Sequence, residues 1–241
     1  MSKLQTISIV IPVYNEDKFI EQVIKNVFHA NSCELKKEII VVNDGSTDST
    51  LKKLLKLKII HPDLVIINLK VNKGKGYALK QGFLKTSGDL VLVQDADQEY
   101  SPNDYPALLE PFLDLNADVV YGSRLSTTKP HRVLFFWHYK VNQFLTFVSN
   151  ILTGLNLTDM ETGFKVFKGD IIRNIAPKLV SYRFGFEPEI TARIAKNKLF
   201  RIFEVGISYS GRTYQEGKKI GWRDGVLALW EIIRFNLFTR S

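Results

Sequence analysis

Cys33 is the single cysteine in a chain of 241 residues. An intrachain disulfide framework is therefore excluded, and a reducing compartment fits. Histidine is almost as scarce: His29, His61, His131 and His138 all fall outside any motif. No run of 18 uncharged apolar residues occurs, so no membrane span is expected. No secretory signal is read either, because Lys3 is soon followed by a strand. Two phosphate-binding fingerprints are missing. The spacing G-x-x-x-x-G-K-[ST] does not occur, and Glu16 rather than a glycine-rich turn follows the first strand. There is no internal repeat, no low-complexity segment and no nucleic-acid recognition motif.

What remains is an ordinary globular composition, 45% hydrophobic and 24% charged, which argues against disorder and for one α/β domain with an appendage. The net charge of +8 points to an anionic partner, either a phosphorylated substrate or an acidic membrane surface. Nucleic acid is disfavoured, since the basic residues share strand ends with carboxylates.

Apolar runs bounded by turn residues predict strands over 7–13, 38–43, 64–69, 90–94 and 117–124. Helical patterns lie between them. One carries Phe19, Ile20, Val23, Ile24, Val27 and Phe28 and could be capped by Asn15; another covers 103–115 behind Pro102. Strands alternating with helices predict a mostly parallel sheet with helices on both faces. Asp44 ends the second strand, Asp95 and Asp97 the fourth, and Arg124 the fifth. Carboxylates grouped at strand ends repel one another unless a cation joins them, and hard oxygens suit Mg²⁺ or Mn²⁺. Asn72-Lys73-Gly74-Lys75-Gly76 opens a helix and reads equally as a phosphate contact or as a basic loop.

The second half differs. Two aromatic and basic stretches, 133–153 and 226–240, suit interfacial helices or plain core packing. Residues 183–196 form a helix with Glu187 and Glu189 at its start. Residues 200–209 read as a strand leading to the polar loop from Gly211 to Lys219.

IPVYNE (11–16), VNDGSTDST (42–50), NKGKGYAL (72–79), DADQE (95–99) and GSR (122–124) together resemble the inverting glycosyltransferases of family 2, with the GT-A fold. TGFKVF, RFGFEPEI and GRTYQEGKK are similar to the polyprenyl-phosphate branch, which holds the dolichyl-phosphate mannose and glucose transferases. The resemblance covers nearly the whole chain. It implies a single domain over 1–241, with a nucleotide-sugar half (1–124) and an acceptor half (125–241). By that resemblance, Pro12, Tyr14, Glu16, Val42 and Asp44 hold the base and ribose of a nucleotide-sugar, GDP-mannose or UDP-glucose. Lys75 joins them, and Asp95, Ala96 and Asp97 contact diphosphate and metal. Glu99 stands where the family often has glutamine near the metal. Arg124 faces the phosphates. Arg212 and Lys218 match a loop that closes over donor and acceptor phosphates, while Arg132 or Lys140 meets the acceptor phosphate. Asp97, Arg124, Arg212 and Lys218 are the catalytic candidates. The expected setting is the cytoplasmic face of a membrane, bound peripherally, with room for a membrane-anchored partner subunit.

An anionic lipid phosphate needs steering more than deprotonation, so this reaction requires no general base. A sugar-hydroxyl acceptor would need one, and Asp159, Glu187 or Glu189 would be the candidates. A non-catalytic sugar-nucleotide-binding or membrane-surface protein is the third reading.

Overall fold

In β1 (Thr6–Val13), Ile7, Ile9 and Ile11 turn to one helical layer and Val10 to the other, and all four are fully buried. This two-sided burial is what a continuous apolar run dictates. The computed structural model describes residues 4–126, 132–133, 136–183, 185–212 and 222–239. The other strands are β2 (Lys36–Asn43), β3 (Val65–Asn68), β4 (Leu90–Val93), β5 (Val119–Ser123), β6 (Lys165–Lys168) and β7 (Ile202–Gly206). They form one sheet in the order β3-β2-β1-β4-β6-β5-β7. All pairings are parallel except those of β6, which runs antiparallel to both β4 and β5.

Helices cover both faces, as the alternation predicts. On one side α1 (Ile20–His29), α2 (Thr50–Ile60) and α4 (Tyr105–Asp114) bury Ile20, Val23, Ile24, Leu54, Leu108 and Phe112 against the sheet. On the other lie α3 (Lys75–Phe83), α5 (Phe136–Thr153), α6 (Gly169–Ile175), α7 (Phe186–Ala195) and α8 (Trp222–Ile233), with Leu79, Phe83, Phe186, Ile190 and Ile232 in their core. A π-helical turn, Arg234–Phe238, prolongs α8.

Two local expectations change. Asn15 does not cap α1, which starts at Ile20. It takes a left-handed backbone (φ 51°), and its side-chain oxygen accepts from the Thr47 N–H at 2.8 Å. That conformation suits a short polar side chain able to bond locally. Strand β6 is not legible as a strand, because Lys165 and Lys168 interrupt its apolar character. Lys165 is nonetheless fully buried, donating to the carbonyls of Met160 and Thr162 and lying 5.0 Å from the Tyr121 ring centre.

Helix α5 packs Leu145, Val148 and Leu152 on the core, yet much of its apolar surface faces outward. Its polar residues Thr146, Ser149 and Thr153 are buried, and Asn142 and Asn150 bond inward to Asp159 and the Leu157 carbonyl. Trp137, Val141, Phe144, Phe147 and Ile151 instead form an outward stripe, with Trp137 76% and Ile151 64% exposed. On the neighbouring α8, Val226, Leu227 and Trp230 are also exposed. Among the described residues no helix is long and apolar enough to cross a membrane.

Candidate active site

The carboxyl ends of β1, β2, β4, β5 and β7 open on one side of the sheet. Because β6 is reversed, the turn that leads into it arrives at the same side. Open α/β sheets bind ligands outside such ends. Pro12 and Val42 are register partners on β1 and β2, and Asp44 follows β2. Asp44 holds the next loop: its carboxylate accepts from the N–H groups of Lys73 and Gly74 at 2.9 and 2.7 Å and from the Asn72 amide at 3.0 Å. Gly74 needs its freedom here. Its φ is +95°, and an added Cβ would sit 2.3 Å from the Tyr182 carbonyl oxygen.

That loop delivers Lys75 to the end of β4. Its ammonium lies 2.9 Å from Asp95 and 3.0 Å from Glu187, at the first turn of α7. Burial by itself would lower its pKa, but Asp95 and Glu187 raise it well above the ordinary lysine value. Asp97 is the opposite case. Burial, then the charges of Asp95 and Glu99, push its carboxyl well above the usual range.

Arg212, just beyond β7, closes the other side. Its guanidinium pairs with Glu16 at 3.1 Å, donates to the Asp97 carbonyl and lies 4.3 Å from the Phe19 ring centre. Its backbone N–H donates to Glu99 Oε1 at 2.6 Å, and the Tyr209 hydroxyl donates to Glu99 Oε2 at 2.8 Å. Both Glu99 oxygens thus tether the 209–212 segment. Among the described residues no three His, Cys, Asp or Glu side chains, those of Asp95, Asp97 and Glu99 included, form a group able to hold a metal by themselves.

Arg124, at the end of β5, donates Nε and Nη2 to the buried Asp159 at 2.6 and 2.7 Å. It also lies 5.2 Å from the Tyr209 ring centre. The Asp159 carboxyl is held below its usual range: burial would raise it, but the charge and hydrogen bonds of Arg124 prevail.

The family model described as Glycosyl transferase family 2 matches residues 8–175, which include every one of these strand ends but that of β7. The chain belongs to glycosyltransferase family 2. The transferase is similar to a dolichyl-phosphate beta-glucosyltransferase of Trichomonas vaginalis, 27% identical over 97% of this chain and 74% of that protein. It is also similar to the UDP-N-acetylglucosamine–dolichyl-phosphate N-acetylglucosaminyltransferase of Methanococcus voltae, 28% identical over 83% of this chain and 84% of that one. Its fold is that of glucosyl-3-phosphoglycerate synthase from Mycobacterium tuberculosis, solved with Mn²⁺, UDP and phosphoglyceric acid. The TM-score is 0.70 at 21% identity, over 98% of this chain and 80% of that one.

In the transferase, Glu16, Asp95, Asp97 and Arg212 come together, with Lys75 beside Asp95. Ala96 is buried under the loop, and Tyr14 is 37% exposed at the rim. Arg124, expected to face phosphates, is instead engaged by Asp159. Arg132 joins the Arg212 segment, with Nη1 donating to the Gly211 carbonyl at 3.1 Å. Lys140 stays on the outer face of α5, about equally far from the rings of Phe136 and Tyr139 (5.6 and 5.5 Å). Lys218 and most of its loop lie outside the described residues. Sequence reasoning assigned no part to Lys165, Tyr209 or Glu204. None of them stands in an acidic or basic cluster, and only folding brings them to this end of the sheet.

Proposed function

We propose that the transferase moves a hexose from a nucleotide-diphospho-sugar to a polyprenyl phosphate, inverting the anomeric centre. One observation carries this reading: each carboxylate nominated as a base for a hydroxyl acceptor is bound to a cation. Asp159 is held by Arg124, Glu187 by Lys75 and Glu189 by Arg193 at 2.8 Å. Glu189 also accepts from the N–H groups of Val180 and Ser181, so it serves to anchor the start of α7. With these three carboxylates held by cations, the arrangement suits an acceptor that is already anionic and needs no base. The dolichyl-phosphate transferases among the relatives favour the same acceptor class. Of the two donors, UDP-glucose is favoured by the relatives over GDP-mannose.

A divalent cation, Mg²⁺ or Mn²⁺, fits the donor set. Asp95 and Asp97 are hard oxygen ligands; burial and then repulsion by Asp95 already push the Asp97 carboxyl up, and one or two carboxylates plus substrate phosphates suffice for Mg²⁺. Glu99 is left out of this set because both its oxygens are engaged. When bound, the ion would neutralise the departing diphosphate. Arg212 would add cationic charge on the Glu16 side, and Lys75 on the Asp95 side. Glu16 and the loop held by Asp44 would orient the nucleoside.

The outward apolar stripe of α5 supports work at a membrane surface. Its aromatic stripe, with Lys140 beside Phe136 and Tyr139, has the amphipathic pattern of a helix lying in the headgroup layer. This supports peripheral attachment, with or without a membrane-anchored partner subunit, and the cytoplasmic face is the side we propose.

The test is incubation with Mn²⁺ or Mg²⁺, labelled nucleotide-sugars and a short polyprenyl phosphate. Label should pass into the organic phase, and Asp97→Ala and Arg212→Ala should abolish it. Donor binding with label reaching only glycan hydroxyls would overturn the lipid-phosphate reading.

A further inference from the structure

The turn from Thr158 to Phe164, which leads into β6, is tied down at nearly every step. Glu204 accepts from the N–H groups of Thr158 and Asp159 at 2.9 and 3.2 Å. Thr146 Oγ1 accepts from the Met160 N–H at 3.1 Å, and the Tyr100 hydroxyl accepts from the Gly163 N–H at 2.8 Å. Lys165 binds the carbonyls of Met160 and Thr162, and Asp159 binds Arg124. Such anchoring fixes side-chain positions well beyond what a surface turn requires.

Against this order, two side-chain atoms of the turn stand out. Glu161 Oε1 and Thr162 Oγ1 are buried and have no hydrogen-bond partner among the described residues. Thr162 is wholly buried. Native structures rarely leave such atoms unpaired, and each exception asks for a ligand or a water. The location favours a ligand. The turn lies against the end of β4: a Cβ added to Gly163 would sit 2.2 Å from Asp95 Oδ2 and 2.9 Å from the Tyr100 ring. Glu161 also feels the charges of Glu187, Lys165, Arg124 and Asp159, the charged residues around the end of β4.

We propose that Glu161 and Thr162 recognise hydroxyl groups of the donor's hexose. The inference rests on the nucleotide-sugar reading of the site. A hexose joined to a diphosphate beside Asp95 presents a ring of hydroxyls, and each needs a partner once water is excluded. A threonine hydroxyl both donates and accepts. Burial and Glu187 push the Glu161 carboxyl up, which favours the protonated form that also donates. A subsite of this kind discriminates strongly, because an analogue lacking the hydroxyl leaves buried polar groups unpaired.

The experiment uses the full chain with Mn²⁺, Thr162→Val and Glu161→Gln as shape-preserving variants, and Glu161→Leu as the harsher one. UDP-glucose, its four monodeoxy analogues and UDP alone are the probes. Binding is followed by calorimetry, and turnover by donor hydrolysis as well as transfer. Thr162→Val and Glu161→Leu should lose about tenfold or more against UDP-glucose while their UDP affinity stays within about twofold. Glu161→Gln, which still donates and accepts, should lose less than Glu161→Leu. Against one deoxy donor, wild type and variant should become equal. Equal losses with every deoxy donor, a matching loss for UDP, or no loss with any probe would overturn the proposal. The last result would mean that water satisfies the two atoms. Should Glu161→Leu not fold, the two shape-preserving variants decide. Binding and hydrolysis need no lipid, so a chain inactive on polyprenyl phosphate refutes the acceptor reading and leaves this inference to its own test.

Discussion

Asp159→Asn should cost the transferase more in stability than in chemistry. The carboxylate is fully buried and receives four hydrogen bonds: Arg124 Nε at 2.6 Å, Arg124 Nη2 at 2.7 Å, Asn142 at 2.9 Å and the Arg124 N–H at 3.0 Å. Asparagine keeps one acceptor oxygen but turns an NH₂ toward a guanidinium, so donors face donors and a buried cation loses its partner. Breaking a buried pair from one side costs about 3–5 kcal/mol. Each kcal/mol lowers Tm by about 2–4 °C in a domain of this size, which gives a fall of about 6–20 °C. The second arm is Arg124→Met with Asp159→Leu. Replacing both charged partners by apolar groups is often neutral, but the residue 124 N–H and the Asn142 amide still lose their acceptor, so the double variant should recover only part of the loss. Thermal unfolding reads stability, and transfer well below Tm reads kcat. Asp159→Asn that melts within about 2 °C of wild type yet loses about 100-fold or more in kcat, as removal of a general base does, would refute the reasoning. Asp159 would then be the base for a hydroxyl acceptor.

Three further outcomes are expected. Gly163→Ala should abolish transfer, because the new methyl would meet Asp95 Oδ2 at 2.2 Å; full activity would show that the turn yields freely. Asp118 bonds Lys168 at 2.6 Å and Arg201 at 3.2 Å; although burial opposes it, these partners hold its carboxyl down at about 2. Its contribution is therefore complete above the unfolded value near 4 and disappears as pH falls through about 2. With screening at the exposed Arg201 it is about 1 kcal/mol, and Asp118→Asn should lower stability at pH 7 but not at pH 2; an equal loss at both would exclude the charge as the cause. Trp137→Glu with Trp230→Glu should release the protein from anionic vesicles in flotation while leaving Tm unchanged, and undiminished flotation would remove the α5 stripe from the membrane argument.

Much of the fold was legible because buried parallel strands are nearly pure apolar runs. The expected strands over 7–13 and 90–94 match Thr6–Val13 and Leu90–Val93 to within one residue. Strand β6 was not, since a buried lysine contradicts that pattern until its carbonyl partners are known. The candidate site was legible as a set of residue types at strand ends, but not as a set of pairings. Arg124 and Asp159 are 35 residues apart, and Glu99 meets Arg212 across 113, so no local signal announces that each is already engaged. Glu161 carried no signal at all. Its interest comes from an oxygen left without a partner, which only a folded turn reveals.

The reversed strand also bears on how the chain is made. β5 is complete by residue 123, yet its neighbours in the sheet are β6 and β7, which end 45 and 83 residues later. During synthesis from the amino terminus, β1 to β4 can pair as they emerge, while β5 waits with both edges bare. Unpaired edges of this kind invite wrong pairings, and non-local strands form slowly. A fragment ending at residue 124 would therefore be an incomplete sheet with an orphan strand, although it carries most of the donor-site motifs. The two halves named from the sequence share one sheet, so neither is a folding unit by itself.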